Sequence, residues 1–295
     1  MSEALCLLAI HAHPDDEASK GAGTIARYHA EGVHTVLVTA TGGEEGEILN
    51  PALDTDEVRQ NIAEIRRREL DDAARAIGYD KVVLLGYRDS GMPESEANSN
   101  PRSLWRAPIE EAAGGLVRAI RTYRPQVVVT YPDEQNFYPH PDHLRVHDIS
   151  LIAFDKAGDK EAYPEAGEPY QPLKLYYTVW QMEPMVLRHE KFLELGMESP
   201  YAEWFKDGPP ADFPDYSPTA IIDVSDYYEQ RRAGLVAHAT QIDPDSLFWF
   251  GLPDSVDRQV WRTDAYVLAR NLVGPIDPED DLFAGVRERE GAAAN

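Results

Sequence analysis

The chain has 295 residues, of which 43% are hydrophobic and 27% charged, which is typical of a globular protein with a sizeable core. Its 28 basic and 52 acidic residues give a formal net charge of −24, which disfavours binding to nucleic acid or to anionic membranes. No segment reaches the roughly 18 to 20 apolar residues that cross a bilayer, and no basic leader opens the chain. A single cysteine, Cys6, excludes a disulfide within the chain. We therefore expect a cytoplasmic protein.

The first half of the chain alternates short apolar runs with stretches of helical spacing. The predicted strands are 5–10, 34–40, 82–85 and 126–130, and the predicted helices are 18–31, 56–78 and 109–123. Unbroken apolar strands that alternate with helices are typical of a parallel sheet covered on both faces. We predict an α/β, Rossmann-like fold, with a mostly parallel sheet and flanking helices, in a catalytic domain of residues 1–156.

The second half, residues 157–295, is less regular. It is rich in proline, glycine and aromatic residues, with strands predicted at 175–179 and 220–224 and a helix at 226–240. We predict a smaller, irregular C-terminal subdomain that completes the substrate pocket and ends in a frayed tail after Pro275. Five aromatic residues could form an apolar pocket wall or belong to the core, namely Trp204, Phe205, Phe248, Trp249 and Phe250.

Four polar loops follow the four predicted strands of the first half. They comprise residues 11–17, 41–47, 86–91 and 133–143. In a parallel sheet with helical crossovers, such loops emerge at the same edge, where ligands bind. The first and last of these loops are rich in histidine and carboxylate residues, so we expect a site to form where they meet.

Imidazole and carboxylate groups without a thiolate favour a divalent metal ion such as zinc. Catalytic zinc usually keeps three protein ligands and one open position. His13, Asp16 and His143 could supply the three ligands. Asp15 would then face a water molecule as a general base.

The last loop offers two further groups for amide hydrolysis. The Tyr138 hydroxyl could donate to the oxyanion that forms when a carbonyl is attacked. His140 could protonate the leaving amine, with Asp142 holding its tautomer. Together with the metal ligands, these residues predict a hydrolase acting on amide bonds.

Other motifs have less specific interpretations. His11 is expected to pack or to support the site, and His147 is either an extra ligand or a support for the ligands. Gly-Ala-Gly at 21–23 has the outline of a dinucleotide fingerprint, but it lies within the predicted first helix rather than at a turn after a strand. Small residues there are better explained by close packing of the helix on the sheet.

The motifs His-Pro-Asp-Asp-Glu at 13–17 and His-Pro-Asp-His at 140–143 together resemble the LmbE-like (PIG-L) family of metal-dependent N-deacetylases and amidases. The likeness extends to Thr-Gly-Gly-Glu-Glu-Gly-Glu at 41–47 and Asp-Ser-Gly at 89–91. The resemblance implies the same zinc ligands, base, oxyanion donor and acid as those argued from the residues.

Within that family, three runs resemble the subgroup that acts on mycothiol S-conjugates. They are Ser-Lys-Gly at 19–21, Gly-Glu-Ile-Leu-Asn-Pro at 46–51 and His-Ala-Thr-Gln-Ile-Asp-Pro at 238–244. By this resemblance, Arg66, Asp89 and Glu47 would contact the glucosaminyl-inositol half of the substrate. Lys20, at the pocket mouth, would select for the acyl or thiol-bearing half. As alternatives, Arg66 could lie on a solvated helix face and Asp89 in an Asx turn.

The resemblance implies a Zn²⁺-dependent amide hydrolase that cleaves mycothiol S-conjugates to a mercapturate and glucosaminyl-inositol, in thiol-based detoxification. Fe²⁺ could occupy the same ligands, and the chain could form a homo-oligomer. The alternatives are an N-deacetylase of N-acetylglucosaminyl-inositol or of another N-acetyl sugar or secondary metabolite, and a catalytically silent metal- or sugar-binding module. One departure from the family pattern concerns the substrate: the loop 133–138 lacks the family's two glycines, which predicts a stiffer, bulkier loop and a changed position for Tyr138.

Overall fold

The computed structural model describes residues 4–133, 138–208, 210, 216–274 and 279–287. The altered loop predicted at 133–138 therefore lies mostly outside the described residues. Within the described part of the chain, no helix is long and apolar enough to span a membrane. The expectation of a cytoplasmic location stays a prediction.

The described residues form one seven-stranded sheet in the order β3-β2-β1-β4-β5-β7-β6. Its strands are β1 (Cys6–His11), β2 (His34–Thr41), β3 (Lys81–Tyr87), β4 (Val127–Thr130), β5 (Lys174–Val179), β6 (Ala220–Asp223) and β7 (Thr263–Asn271). The first five strands pair in parallel, and β7 pairs antiparallel with β5 and β6. The predicted Rossmann-like, mostly parallel sheet is thus confirmed. Strand β7 was not predicted, because most of its residues are only partly buried and its ends are polar.

The α-helices are α1 (Asp16–Ser19), α2 (Ala22–Ala30), α3 (Asp56–Gln60), α4 (Ile62–Ile77), α5 (Ile109–Tyr123), α6 (Pro141–Lys156), α7 (Met182–Glu194), α8 (Ala202–Phe205), α9 (Tyr228–Ala237), α10 (Leu247–Phe250) and α11 (Asp254–Val260). Helices α2, α4 and α9 pack over one face of the sheet, and α5 and α6 over the other. In β1, Leu7 and Ala9 belong to the core under α2, α4 and α9. Leu8 and Ile10 belong to the core under α5 and α6. Because both faces are covered, this strand reads as a continuous apolar run.

The helix predicted over 18–31 is broken between α1 and α2, where Gly21 has a φ of +80°. A Cβ atom at Gly21 would lie 2.7 Å from the Tyr266 hydroxyl oxygen, and one at Gly23 would lie 2.7 Å from the Val224 Cβ. The glycines therefore let α2 approach the second half of the chain closely. This confirms the packing interpretation of the Gly-Ala-Gly run. The helix predicted over 56–78 is likewise divided into α3 and α4.

The second half of the chain extends the sheet of the first half. Strands β5, β7 and β6 continue it beyond β4, and α9 packs against α2 and α4. The predicted division into a catalytic domain of residues 1–156 and a subdomain of residues 157–295 stays a prediction.

The C-terminal segment differs from its prediction. Leu282, Phe283 and Val286 are buried, and the Tyr28 hydroxyl donates a hydrogen bond of 2.8 Å to Asp281. The prediction of a frayed tail after Pro275 is therefore wrong for residues 279–287, because their apolar side chains complete the core beside α2. The rest of that tail lies outside the described residues.

None of the five aromatic residues predicted as a possible pocket wall lines a cavity described below, and four of the five belong to packing clusters, whereas Trp204 is exposed. Phe205 and Phe248 pack against Phe192 and Tyr201 in a small core of their own. Trp249 and Phe250 pack against the main core on the α2 face. Of the two alternatives, the structure favours core packing for Phe205, Phe248, Trp249 and Phe250, which are partly buried against other apolar side chains.

Candidate active site

The structure brings His13, Asp16 and His143 together at the carboxyl ends of β1 and β4, as the topology predicts. All three are buried, and one ligand atom from each lies within 4.8 Å of the others. Asp16 Oδ2 is 3.5 Å from His13 Nδ1 and 3.4 Å from His143 Nε2. Donor atoms that share a tetrahedral zinc ion lie about 3.3 Å apart, given bond lengths of about 2.0–2.1 Å.

The donor atoms of this cluster fit a metal ion. His143 Nε2 is buried and has no hydrogen-bond partner among the described residues, which is unfavourable unless a ligand such as a cation satisfies it. Burial alone would raise the pKa of Asp16, but Lys20 and His143 outweigh it and hold the pKa well below its usual value. Asp16 is therefore ionised, as a metal ligand must be.

The other ring nitrogen of His13 contacts a second set of carboxylates. His13 Nε2 lies 3.3 Å from Asp142 Oδ2 and 3.5 Å from Asp89 Oδ1. Asp142 also accepts hydrogen bonds from the backbone and the hydroxyl of Ser90. A carboxylate on the far nitrogen fixes the tautomer and ring orientation of a metal-bound histidine, so this contact orients His13.

This arrangement differs from the predicted pairing of Asp142 with His140. The Asp142 carboxylate contacts His13 and Ser90, while His140 Nδ1 accepts a 3.2 Å hydrogen bond from the Asp142 backbone N–H. His140 is the N-cap of α6, so its ring turns back to satisfy the helix terminus and Asp142 points toward β3. A proton on the neutral His140 ring must therefore reside on Nε2, and burial lowers its pKa to about 4.

Asp15 lies in the same loop with a φ of +115°, an uncommon value for a residue other than glycine. Its Oδ2 accepts a 3.0 Å hydrogen bond from Arg66 Nη2, which also donates to the Pro14 carbonyl at 2.7 Å. Burial raises the pKa of Asp15, with Arg66 opposing that effect. A raised pKa strengthens a carboxylate as a base.

Arg66 is 2% exposed, so the interpretation as a solvated helix face is wrong. Its guanidinium also donates to the Gly43 carbonyl, and a Cβ atom at Gly43 would overlap the Arg66 side chain. Gly43 has a φ of +66°. The Thr-Gly-Gly run thus lets the second loop close over Arg66, which ties that loop to the first.

A buried pair that the sequence did not predict, Glu17 and His238, contacts the backbone of Asp15. Glu17 Oε2 accepts a 3.0 Å hydrogen bond from the Asp15 backbone N–H, and Glu17 Oε1 lies 2.5 Å from His238 Nε2. Glu17 and His238 are both completely buried. The only signal in the sequence was the His-Ala-Thr-Gln run, whose resemblance pointed to the subgroup without indicating a partner.

The same segment of the second half docks on the first half at two more points. Thr240 donates from its backbone and hydroxyl to Glu69 on α4, at 2.7 and 2.6 Å. The Leu49 backbone N–H donates to the Thr240 carbonyl at 2.9 Å. Gln241 thereby reaches the cavity beside Arg66, so at least one residue of the second half lines it.

Tyr131, which directly follows β4, is a second supporting residue that the sequence did not indicate. Its ring stacks on His143 at 4.5 Å between centroids, and its hydroxyl bonds His11 Nδ1 and the Ala12 backbone N–H at 3.1 Å. His147 Nδ1 bonds the Tyr131 carbonyl at 2.9 Å. Both His11 and His147 therefore support the ligands through Tyr131. Among the described residues, His147 belongs to neither group of side chains that could hold a metal ion.

These groups open into a cavity of about 560 Å³ at the same edge of the sheet. Asp15, Glu47, Tyr138 and His140 line it; Glu47 is exposed, and Tyr138 is 49% exposed beside the His140 ring. Burial raises the pKa of the Tyr138 hydroxyl, which keeps it protonated as a donor.

Asp89 and Lys20 have roles that the sequence left open. Asp89 lines the large cavity and also forms the Asx turn, since its Oδ1 accepts from the Gly91 backbone N–H at 2.8 Å. His13 and this hydrogen bond outweigh burial and lower the pKa of Asp89. Lys20 Nζ donates to Asp16 Oδ1 at 2.6 Å. Lys20 lines a second, smaller cavity instead of the large one.

Comparison with known proteins identifies several similar chains. Residues 8–154 match the PIG-L family, described as GlcNAc-PI de-N-acetylase. The mycothiol S-conjugate amidase of Streptomyces coelicolor is 46% identical over 98% of this chain and 99% of its own. The 1D-myo-inositol 2-acetamido-2-deoxy-alpha-D-glucopyranoside deacetylase of Geodermatophilus obscurus is 40% identical over 95% of this chain and 97% of its own.

Among solved structures, the N,N'-diacetylchitobiose deacetylase of Pyrococcus horikoshii is similar in fold. The match has a TM-score of 0.62 and covers 94% of this chain and 88% of that chain, at 20% sequence identity. At that identity the likeness supports the architecture alone.

Proposed function

The chain belongs to the PIG-L family of de-N-acetylases and amidases, and from this premise we propose that it is a Zn²⁺-dependent amidase of mycothiol S-conjugates. It would release a mercapturate and glucosaminyl-inositol. The observation that carries the proposal is the convergence of His13, Asp16 and His143 beside Asp15 in one cavity. The similarity to the Streptomyces coelicolor amidase along nearly the whole chain supports the choice of substrate.

The three converging residues would hold the metal ion, which when bound supplies Lewis acidity toward the scissile carbonyl and an attacking water. Asp15 would serve as the general base that accepts a proton from the attacking water. Arg66 and Glu17 hold the Asp15 side chain and backbone in place. This rigid support is what a base needs to keep within reach of the proton that it abstracts.

Tyr138 and His140 would act on the substrate from the other loop. The Tyr138 hydroxyl donates to the oxyanion that develops at the carbonyl. His140 lines the cavity and would donate its Nε2 proton to the leaving nitrogen. Asp142, instead of acting on His140, orients His13 through the 3.3 Å contact.

The amine half of the substrate would lie in the large cavity. Its hydroxyl groups suit the polar lining formed by Glu47, Arg66 and Asp89, because carboxylates and a guanidinium bind sugar and inositol hydroxyls by hydrogen bonds. Lys20 would contact the acyl half, because it is bonded to Asp16 and lines the small cavity instead of the large one.

A second candidate is an N-deacetylase of N-acetylglucosaminyl-inositol. The 40% identity to the Geodermatophilus obscurus deacetylase favours it, and the chemistry at the metal and at Asp15 would be unchanged. The two functions differ only in the size of the acyl group. Fe²⁺ is an alternative metal for either function, because imidazole and carboxylate ligands suit both ions.

The test is an amine-release assay on zinc-loaded protein with a mycothiol S-conjugate and N-acetylglucosaminyl-inositol side by side, with a chelator as control. A higher kcat/KM for the conjugate is the expected result. A preference for the acetyl sugar would make the protein a deacetylase. Absence of turnover on both substrates, with the metal bound, would leave a silent binding module and overturn the proposal.

A further inference from the structure

A second cavity of about 40 Å³ lies at the same edge of the sheet, on the opposite flank of the metal ligands. It forms where β5 ends and β7 begins, next to Thr178 and Ala265. The large cavity lies instead beside the loops after β2 and β3. Because β1 and β4 stand between β2 and β5 in the sheet, the metal ligands separate the two cavities. Lys20, bonded to Asp16, forms the wall between them.

Two hydrogen-bond donors that line this cavity have no acceptor. Arg231 is 7% exposed, and no described residue forms a hydrogen bond or ion pair with its guanidinium, which stacks on the Trp261 ring at 4.2 Å. Trp261 Nε1 is buried and also lacks a hydrogen-bond partner among the described residues. A fully buried N–H such as that of Trp261 is nearly always satisfied in proteins, and the unpaired Arg231 guanidinium lines the cavity itself. Together they point to a ligand that brings an acceptor.

The charge and size of the cavity restrict that ligand. Asp264 lines the same cavity and accepts hydrogen bonds from Thr24 at 2.8 and 2.9 Å. The negative charges of Asp257 and Asp264 both favour the charged form of Arg231 and partly offset its positive charge. A neutral acceptor is thus favoured over an anion. The volume holds about three water molecules, at 10–15 Å³ each, which is also the size of an acetamido group. The walls formed by Trp180 and Met185 suit its methyl group.

We propose that this cavity is an acyl-side subsite that binds the acetamido group of the S-substituted N-acetylcysteine half. The proposal rests on the proposed function. An amide substrate extends in two directions from its scissile carbonyl, and the amine half takes the large polar cavity. The acyl half then extends past Lys20 toward Arg231 and Trp261, which donate to the acetamido oxygen. A simple acetyl group carries no acetamido oxygen to accept from these donors, so the subsite selects for amidase substrates.

The experiment compares two conjugates that differ only in the N-acetyl group of the cysteine. Trp261→Phe removes the N–H and keeps the aromatic ring, and Trp204→Phe is the matched control because Trp204 lies outside this cavity. In the wild-type protein, we expect loss of the acetyl group to lower kcat/KM by about tenfold or more. In Trp261→Phe that dependence should shrink by about three- to tenfold, the value of a neutral hydrogen bond. Arg231→Met should shrink it further.

A binding measurement separates this proposal from the proposed function. Calorimetry with N-acetyl-S-benzylcysteine on zinc-loaded protein needs no turnover. Binding that is weakened by Trp261→Phe and unchanged by Trp204→Phe supports the subsite even if the conjugate is not hydrolysed. Equal affinity of the wild-type and Trp261→Phe proteins, or an equal dependence of kcat/KM on the acetyl group, would overturn it.

Discussion

Removal of His238 tests whether the second half of the chain positions the base. His238 and Glu17 are both completely buried and 2.5 Å apart, and Glu17 holds the Asp15 backbone N–H. Glu17 and the charge of Asp15 outweigh burial and raise the pKa of His238. His238→Ala would leave the Glu17 carboxylate buried without its partner. Asp15, at a φ of +115°, would lose the group that fixes its backbone.

The expected loss of stability is about 3–5 kcal/mol, the usual cost of leaving one charge of a buried pair unpaired. The expected loss of kcat is about a hundredfold, because a displacement near 1 Å at a catalytic group has that effect. Lys174→Met is the matched control. It breaks another buried ion pair, between Lys174 and Glu279, at the amino end of β5 and thus at the opposite edge of the sheet from the site. This control should lose similar stability and keep its kcat.

The assay combines urea unfolding, zinc content and steady-state hydrolysis at a temperature where all variants are folded. His238→Gln, which can still donate a hydrogen bond to Glu17, should recover part of the lost kcat. The reasoning is refuted if His238→Ala and Lys174→Met lower kcat equally, since both effects would then be loss of stability alone. It is also refuted if His238→Ala keeps the wild-type kcat.

Four further predictions follow from the same contacts. Asp15→Ala should keep its zinc and lose about 10²–10⁴-fold in kcat, whereas His13→Ala should lose both; metal analysis beside hydrolysis rates decides this, and near-normal turnover of Asp15→Ala would remove it as the base. Chelation should abolish turnover and lower the thermal midpoint by several degrees, because a ligand bound at 1,000 times its Kd adds about 4 kcal/mol; an unchanged midpoint in scanning calorimetry would contradict a metal at the three ligands. Lys20→Ser removes the 2.6 Å contact with Asp16 and should change the ratio of kcat/KM for conjugate and acetyl sugar by about tenfold; an unchanged ratio would exclude Lys20 from selectivity. Hydrogen bonds from Arg287 and Tyr28 outweigh burial and hold the pKa of Asp281 below its usual value near 3.9, so its stabilising contribution is present above that pH and is lost as the pH falls further; Asp281→Asn should flatten this part of the pH–stability curve, and an identical slope would contradict the pairing.

The sequence alone determined the sheet of the first half and the place where the candidate metal ligands converge. Apolar runs and helical spacing are local properties, so β2, β3 and α5 were predicted to within a few residues. Parallel topology then places every loop after a strand at one edge. For this reason His13 and His143, in the first and fourth loops, could be expected together without knowledge of any contact.

Only the tertiary structure decided which partner each side chain takes. Glu17 and His238 are 221 positions apart, and no local pattern encodes that distance. Asp142 turns to His13 and Ser90 because His140 is used as a helix cap. Likewise, the packed segment 279–287 depends on burial against α2 and the sheet, and the cavity beside Arg231 depends on where β5 and β7 meet. These features result from the mutual packing of distant segments, which hydrophobic periodicity and motif spacing do not specify.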